Sequence, residues 1–275
     1  MLKIKPNEYE ILRSFIKSKC GINLGDNKSY LIETRLSDLV LEYGCKSYLE
    51  FYKKAEKDHS LIERIIDAMT TNETFWFRDP GVWKQIEEKI IPDAVNKAKK
   101  EKKFRVWFGA CSSGQEVYSF LMMLNEYLEK RNDKRILDYF DFTATDISPS
   151  VLFHAKSGRY SGISIKRGLS EYFRNRYFTE QDSVWKFTET LKKRVVFKKL
   201  NLQDSISSLD KFDLVFLRNV LIYFSTETKK EIIEKISSQM VSGSPLLLGS
   251  TESLRDFTTK FEIISEKNIV INYLK

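Results

Sequence analysis

The sequence predicts an α/β fold in which a mostly parallel sheet follows a small all-helical domain. From residue 104 onward, short apolar segments alternate with amphipathic ones, which is typical of βαβ units. The preceding region instead repeats apolar residues at helical spacing, with no β-rich segment between them. We therefore expect a helical domain over residues 1–69 and an α/β domain over 70–275, with a small β subdomain inserted near 158–199.

The helical domain is predicted to contain four short helices. The first carries an apolar face from Tyr9 to Ile16 and ends before Gly21, which serves as a stop signal. A second apolar face ends near Gly44, and Ser47 can cap the helix that follows. The fourth helix has its apolar residues between 61 and 69.

The α/β domain is predicted from buried strands and amphipathic helices in alternation. The predicted strands are Phe104–Phe108, Phe140–Thr145, Phe212–Leu217, Leu246–Leu248 and a closing hairpin of Phe261–Ser265 and Ile269–Leu274. Helices are expected near 80–90, 115–130, 149–157 and 227–240, two of them opening with Pro at the first helical position. The segments SVWKFTET and RVVFK look strand-like and follow an aromatic helix near Tyr172–Phe178, so both are assigned to the inserted subdomain.

Composition limits the class of protein. Of the 275 residues, 42% are apolar and 31% are charged, which is ordinary for a soluble globular protein. No apolar run approaches the roughly 20 residues that cross a bilayer, and the first ten residues lack the apolar segment of a signal peptide. The three cysteines are scattered and there are only two histidines, so neither a disulfide framework nor a metal centre is expected. We expect a cytoplasmic protein without membrane insertion.

Positive charge is concentrated in one internal segment. Residues 151–200 hold 12 Lys and Arg against 4 Asp and Glu, and 12 − 4 = +8 equals the net charge of the whole chain. This surplus indicates either a surface for an acidic partner, protein or nucleic acid, or simply solvated basic faces.

Two segments at the predicted carboxyl edge of the sheet suit a nucleotide-like ligand. In RVWFGACSSGQE a buried strand is followed by small residues, Ala110 among them, and by a helix whose first turn holds Glu116. Such a turn lets the backbone approach a ligand, although any α/β protein needs a tight turn there. Asp146 ends the next strand in ATDIS, where a carboxylate can accept hydrogen bonds from ribose hydroxyls or merely cap a helix.

Two further segments place polar residues among apolar ones. In FDLVFLRNVLIYF, Arg218 and Asn219 interrupt an apolar strand end, where buried polar groups need partners. Tyr223 follows, either as core or facing a reacting centre. In TTNETFWFRDP, which joins the two domains, Asn72, Thr74 and other polar residues surround three consecutive aromatics, more than a plain linker would hold.

These motifs in this order resemble the chemotaxis receptor methyltransferase (CheR-type) family. The matching segments are TTNETFWFRDP, RVWFGACSSGQEVYS, ATDIS, KSGRY, LNL and FDLVFLRNVLIYF, and GINLGDNKSYLIETRLSDLVLEYG resembles the N-terminal domain of that family. The resemblance implies a class I (Rossmann-like) methyltransferase domain and S-adenosylmethionine as cofactor, with S-adenosylhomocysteine as product. It also implies methyl transfer to glutamate side chains in the cytoplasmic helical region of chemotaxis receptors.

The resemblance carries the family's site onto named residues. It implies cofactor contacts by Asn72, Thr74, Arg78, Ala110, Glu116, Asp146, Asn201, Leu202, Arg218 and Asn219. It places Arg78 and Tyr223 near the transferred methyl, so both are the predicted catalytic residues. Arg78 can orient a carboxylate through its guanidinium, or can form a structural salt bridge to Asp79 or another acid. The sequence departs from the family at Gln115, where a glutamate is usual, and at Gly249-Ser250-Thr251-Glu252, where Gly-His-Ser-Glu is common.

Three other functions fit parts of the sequence. An RNA or small-molecule methyltransferase would share the fold, but the helical domain and the linker motif argue against it. A dehydrogenase is disfavoured because the loop lacks GxGxxG. A catalytically dead receptor-binding adaptor is disfavoured by the retained Asn72, Arg78, Asp146 and Asn219. No nucleic-acid partner is expected, and the chain is expected to act as a monomer.

The sequence also predicts how the receptor is met. Some members of the family dock on a tether at the receptor's C-terminus through the inserted subdomain, an ability linked to an extra glycine-containing turn. Because Arg174–Trp185 contains no glycine, a tight turn with positive φ is not expected there. We therefore expect no use of a tether. Lys28 and Arg35 would face the acidic methylation region, and the basic 151–200 segment would add electrostatic steering. The alternative is that Lys28 and Arg35 are simply solvated charges and that the turn is built differently.

Overall fold

The computed structural model describes residues 2–255, 257–266 and 269–275. The helical domain consists of α1 (Pro6–Cys20), α2 (Ser29–Glu42), α3 (Tyr48–Ala55) and α4 (His59–Met69). Their apolar faces form a separate hydrophobic cluster. Gly21 ends α1 with φ 78°, and the Ser47 hydroxyl accepts a hydrogen bond from the Glu50 amide at 3.1 Å. The four predicted helices and these two signals are confirmed.

The rest of the chain forms two sheets and the helices that cover them. The strands are β1 (Phe104–Gly109), β2 (Phe140–Asp146), β3 (Arg159–Ser161), β4 (Phe178–Gln181), β5 (Val184–Phe187), β6 (Val195–Lys199), β7 (Leu214–Leu217), β8 (Pro245–Leu248), β9 (Phe261–Glu266) and β10 (Ile269–Leu274). The α-helices are α5 (Pro80–Gln85), α6 (Ile91–Glu101), α7 (Gln115–Glu129), α8 (Pro149–Ser157), α9 (Ile163–Lys166), α10 (Glu171–Tyr177), α11 (Glu189–Lys192) and α12 (Thr226–Ser238). A π-helical turn (Ile86–Ile90) joins α5 to α6, and short 3-10 helices span Lys134–Tyr139 and Leu221–Tyr223.

The large sheet has the strand order of a class I methyltransferase. Its seven strands lie in the order β6-β2-β1-β7-β8-β10-β9, which is 3-2-1-4-5-7-6 when they are renumbered along the chain. All pairs are parallel except those made by β10, which runs antiparallel to β8 and β9. The order reverses between β1 and β7, and ligands of open α/β sheets bind at the carboxyl ends beside such a reversal. The predicted fold class is confirmed.

The inserted subdomain is smaller than predicted. It contains a three-stranded antiparallel sheet in the order β3-β5-β4. The segment RVVFK, assigned to this subdomain from the sequence, instead forms β6 of the large sheet, where Val195 pairs with Phe142 in parallel. Its apolar pattern indicates a strand but does not say which sheet the strand joins. The insertion therefore ends before Val195 rather than at 199.

The turn between β4 and β5 also differs from expectation. It is closed by Asp182 and Ser183, whose φ angles are 52° and 61°. Both residues lie in the left-handed region, as in the two-residue turns that suit the twist of a hairpin. The expectation that a segment without glycine would lack such a turn is wrong, because Asp is among the residues that tolerate this conformation.

Candidate active site

A cavity that opens to solvent lies at the carboxyl edge of the large sheet, beneath the helical domain, and encloses about 840 Å³ when the open solvent at its mouth is included. It holds nine of the residues predicted from the sequence, namely Asn72, Thr74, Arg78, Ala110, Glu116, Asp146, Arg218, Asn219 and Tyr223. The helical domain contributes Cys20 and Ile22 to its wall. The cavity is therefore built by both domains and by the segment that joins them.

The loop after β1 bends sharply enough to face the cavity with its backbone. Ala110 and Ser112 have φ of 55° and 49°, left-handed values that are strained for residues other than glycine. The loop is held down by a hydrogen bond from the Cys111 amide to the Thr145 carbonyl at 2.9 Å. Strain concentrated in a ligand-facing loop is typical of binding sites, and it is maintained here by contacts with β2.

Asp146 is fixed at the end of β2 with both carboxylate oxygens engaged. Its Oδ2 accepts a hydrogen bond from the Ser112 amide at 2.8 Å, and its Oδ1 accepts one from the Ser148 amide at 3.0 Å. Burial raises the pKa of Asp146, and these backbone donors oppose that rise. Each oxygen can accept a further hydrogen bond. The rigid carboxylate thus suits a ligand with neighbouring hydroxyls.

Arg218 is a buried cation paired on two sides. Its side chain is 1% exposed, and it donates from Nη1 to Glu116 Oε1 at 2.6 Å and from Nη2 to Asp79 Oδ2 at 2.9 Å. Burial raises the pKa of Glu116, while the charge of Arg218 opposes that rise. Nη2 also donates to the Arg78 carbonyl at 2.6 Å, so Arg218 fixes the backbone of the joining segment. Such a pair is costly to break because either partner would be left buried and charged.

The joining segment, residues 70–79, is anchored by its three aromatics. Trp76 is fully buried, donates from its indole N–H to the Ser164 carbonyl at 2.8 Å and packs edge-on against Tyr160 and Phe178 of the inserted subdomain. Gly168 makes room for this contact, since a Cβ there would lie 2.1 Å from the Trp76 carbonyl oxygen. The aromatic run therefore fastens the segment to the α/β domain.

Polar residues of the same segment face the cavity. The Asn72 carbonyl accepts a hydrogen bond from Ser112 Oγ at 2.9 Å, which joins the segment to the β1 loop. Arg78 donates from Nη1 to the Glu73 carbonyl at 3.1 Å and lies 5.6 Å from the centre of the Phe75 ring. Among residues 2–255, 257–266 and 269–275, no carboxylate forms a salt bridge with Arg78. The alternative of a salt bridge to Asp79 is wrong, because Asp79 pairs with Arg218.

Tyr223 reaches the cavity from a short turn after β7. Asn219 begins this turn with φ 58°, and the Tyr223 carbonyl accepts a hydrogen bond from the Asn23 amide at 2.8 Å. The Tyr223 ring lines the cavity, and its hydroxyl makes no hydrogen bond with the part of the chain that the structure describes. Arg78 and Tyr223, predicted from different motifs, thus share one cavity.

Asn201 and Leu202 are not brought into this cavity. The Asn201 side chain donates to the Lys19 carbonyl at 3.0 Å and accepts from the Gln203 amide at 3.0 Å, so it ties the two domains together. Leu202 is buried in a hydrophobic cluster beside the sheet. Sequence reasoning also missed Cys20 and Ile22, because nothing in an amphipathic helix end shows that it covers a cavity of another domain.

Comparison with known proteins identifies the family. Residues 72–270 match the model described as "CheR methyltransferase, SAM binding domain", and residues 7–70 match "CheR methyltransferase, all-alpha domain". A chemotaxis protein methyltransferase of Pseudomonas aeruginosa is 40% identical over 94% of each chain. Relatives of the same name from Vibrio parahaemolyticus and Borreliella burgdorferi are 38% and 37% identical, over 100% and 92% of this chain and 99% and 90% of theirs.

The chain belongs to the CheR methyltransferase family.

The cavity fits the cofactor of the CheR family, S-adenosylmethionine. Its lining has three acidic residues, Glu73, Glu116 and Asp146, against two arginines, Arg78 and Arg218. That surplus of one negative charge suits a ligand with a sulfonium, an ammonium and one carboxylate. Arg218 also keeps a buried Nε without a partner among the described residues, as a donor site for a carboxylate would.

No helix in the part of the chain that the structure describes combines the length and the apolar character needed to span a membrane.

Proposed function

We propose that this CheR-family methyltransferase transfers the methyl group of S-adenosylmethionine to glutamate side chains of chemotaxis receptors, forming methyl esters. The observation that carries the proposal is the state of Arg78. Its guanidinium lies in the cavity without a salt bridge to any described carboxylate, beside acids that suit the cofactor. The carboxylate of the acceptor glutamate would supply the ion-pair partner that Arg78 lacks among the described residues. The relatives named chemotaxis protein methyltransferase support the same receptor class.

Methyl transfer to a carboxylate requires alignment of the acceptor oxygen with the methyl group and does not require proton transfer. The bound cofactor supplies a methyl group activated by its sulfonium, and a glutamate with a pKa near 4.3 is already ionised at neutral pH. The acceptor oxygen–methyl bond forms as the methyl–sulfur bond breaks, and no proton moves. Arg78 orients the acceptor carboxylate through charge-assisted hydrogen bonds, and Tyr223 packs beside the transferred group. The enclosing helical domain excludes water from the anion.

The charge distribution favours a protein acceptor over nucleic acid. Six of the twelve basic residues in 151–200 form ion pairs with acidic residues, which reduces the free positive surface that phosphate binding would use. The paired residues are Arg167, Arg174, Arg176, Lys192, Arg194 and Lys199. An RNA acceptor is therefore the weaker candidate, and steering by this segment is smaller than its sequence charge indicates.

We also propose that the enzyme is a cytoplasmic monomer that meets receptor helices without a tether. The support for tether independence is now the length of the β4–β5 turn, because Asp182 and Ser183 alone close it and leave no extra residues. Of the two cations expected to face the receptor, Arg35 instead donates to the Met69 carbonyl and to Thr71 Oγ1. Arg35 therefore holds the start of the joining segment. Of the two cations, Lys28 is exposed and remains able to face the receptor.

Arg78 provides the test of the proposed function. With labelled S-adenosylmethionine and receptor-containing membranes, the protein should produce base-labile label, as methyl esters do. Arg78→Ala should lower the rate about a hundredfold or more while leaving the midpoint of thermal unfolding nearly unchanged, because the half-buried side chain makes one hydrogen bond to the protein. Arg135→Ala removes an exposed arginine whose side chain has no hydrogen-bond or ion-pair partner among the described residues, and it should have wild-type activity. Full activity of Arg78→Ala, or an absence of base-labile label with the wild type, contradicts the proposal.

The tether proposal needs a separate comparison. Full-length receptor and receptor lacking its last few residues should be methylated at the same rate, and a peptide of that tail should not bind the enzyme at micromolar concentration. Micromolar binding of the peptide, or a large loss of rate on truncation, would show that the tail is used.

A further inference from the structure

We propose that Glu252 is a positioning residue for methyl transfer, acting through the turn that carries Tyr223. Glu252 does not line the cavity. Its carboxylate instead binds the backbone of the loops after β7 and β8, and so fixes the geometry of a residue that does. The inference rests on the proposed function for the identity of the methyl acceptor. The effect of Glu252 on the turn that carries Tyr223 can be measured without an acceptor.

The Glu252 carboxylate accepts hydrogen bonds from three backbone amides. Oε2 accepts from Asn219 at 2.6 Å and from Gly249 at 2.8 Å, and Oε1 accepts from Leu221 at 2.8 Å. Hydrogen bonds to an ionised acceptor are about twice as strong as those between neutral groups. One side chain therefore joins two loops whose residues are about 30 positions apart in the chain.

The Tyr223 turn needs such support because it is short and strained. Asn219 has φ 58°, and Leu221–Tyr223 form a single 3-10 turn closed by bonds of 3.2 Å and 3.1 Å. One turn of helix gives too few hydrogen bonds to hold its own conformation. The amides of Asn219 and Leu221 lie at its start, where helices leave donors without internal partners. Glu252 satisfies both.

The loops after β7 and β8 are packed so closely that a change at Glu252 would be transmitted to the Tyr223 turn. A Cβ built on Gly249 would lie 2.4 Å from Asn219 Nδ2 and 2.9 Å from Glu252 Oε2. The loops touch with no space for a side chain at 249, so a shift at Glu252 would move Asn219 directly.

The variant Glu252→Gln keeps the size of the side chain but removes its charge and one acceptor oxygen, so it tests the carboxylate alone. A glutamine has one acceptor oxygen, so its NH2 group would face at least one of the three backbone amides as donor against donor. We expect Glu252→Gln to lower kcat for receptor methylation about tenfold to a hundredfold, since a buried amide loses its partner. The dissociation constant for S-adenosylhomocysteine should rise by a clearly smaller factor than kcat falls, because Asp146 and Glu116 hold their own positions and only Asn219, among the predicted cofactor contacts, accepts support from Glu252.

Two further measurements keep the test decisive. Amide hydrogen exchange in the peptide that covers 219–223 should become at least about tenfold faster in Glu252→Gln, with the chain outside this turn and the 249–252 loop unchanged. In a Tyr223→Ala background, which removes the ring that lines the cavity, Glu252→Gln should reduce kcat by less than it does in the wild type, because the two residues act as one unit. Glu231→Gln removes an equivalent charge from the exposed face of α12 and should match the wild type in every assay.

Each outcome has one meaning. Unchanged exchange at 219–223 overturns the proposal, whether or not the receptor is a substrate. Equal losses of kcat and of product affinity, or full additivity with Tyr223→Ala, would make Glu252 a structural residue. If Glu252→Gln does not fold, Glu252→Asp keeps the charge on a shorter stem and should show the same split in milder form. Absence of methylation by the wild type would count against the proposed function alone.

Discussion

At the scale of single residues, the site is a set of buried charges whose partners are fixed in advance. Asp146 is held by two backbone amides, and Arg218 is held between Glu116 and Asp79. Because these groups are already oriented, a ligand need not order them when it binds, and preorganised charges interact strongly where water is excluded. Arg78 is the exception, since it has no carboxylate partner among the described residues.

Asp146 gives the first prediction at this scale. Asp146→Ala should weaken S-adenosylhomocysteine binding by about 1.5–3 kcal/mol, because a charge-assisted acceptor is lost. Burial raises the pKa of the native Asp146 carboxyl. On acidification, the affinity of the wild type for S-adenosylhomocysteine should therefore begin to fall at a higher pH than it would if Asp146 had the pKa of an ordinary aspartate. Titration calorimetry between neutral and mildly acidic pH measures both effects. Unchanged affinity in a folded Asp146→Ala protein would remove Asp146 from the cofactor site.

The sequence predicted most of the residues that line the cavity, but it did not predict which of them form ion pairs with one another. That Arg218 needed a partner followed from its apolar surroundings, and the partner was found in Glu116, 102 positions away. The pairing of Asp79 with Arg218 was not predictable from the motif, where Asp79 precedes a proline and resembles a helix cap. In the structure its φ is 64°, and its side chain accepts no capping hydrogen bond from the described amides of α5. Distant pairing overrode the local signal.

At the scale of elements, the joining segment is the part on which the site depends most. It links α4 to α5 and carries Asn72, Thr74 and Arg78 into the cavity. Trp76 of this segment is buried against the inserted subdomain, so that subdomain supports the segment that lines the cavity. A change inside the subdomain should therefore affect catalysis.

Gly168 tests this connection. Gly168→Ala should lower the free energy of unfolding by more than the roughly 1–2 kcal/mol of left-handed strain, since the new Cβ would also meet the Trp76 carbonyl oxygen at 2.1 Å. Gly243→Ala is the control, because Gly243 has φ 79°, close to the 86° of Gly168, and a Cβ there would meet no described atom within 4 Å, so this variant loses only the conformational part. Urea unfolding and methyl-transfer assays should rank the two variants in this order. Equal effects would mean that the Trp76 contact does not hold the segment.

Element identity was easier to predict from sequence than element partnership. Buried strands and proline-led helices were read correctly from apolar spacing and caps, Ser148 being an example, since its hydroxyl accepts from the Val151 amide at 3.3 Å. The segment RVVFK was read as a strand but assigned to the wrong sheet, because pairing depends on chain topology. The Asp182–Ser183 turn was missed because its left-handed conformation is allowed, though not required, for those residues.

At the scale of the whole molecule, the helical domain and the α/β domain share one binding cavity. Ile147 follows β2, lines the cavity and packs against the core of the helical domain. Asn201 and Asn23 add hydrogen bonds across the boundary, and Lys199 pairs there with Glu63. Binding of the cofactor should therefore stabilise both domains together.

Calorimetry tests this linkage. S-adenosylhomocysteine at about 100 times its dissociation constant should add about 2.7 kcal/mol to the free energy of unfolding, and the protein should unfold in a single transition that includes the helical domain. The Asp146→Ala variant should gain less at the same concentration. A helical domain that melts separately, at a temperature that the ligand does not change, would contradict a shared cavity.

The wall formed by Cys20 and Ile22 has a consequence for protein engineering. Hybrids that exchange helical domains between relatives, with the aim of redirecting the enzyme to other receptors, would also exchange part of the cofactor pocket. Gly21 sits between these two residues, and a Cβ there would lie 2.7 Å from the Phe224 ring. A working hybrid would therefore need residues 19–23 to match the host's α/β domain, so the crossover for receptor specificity belongs after this stretch rather than at the start of the chain.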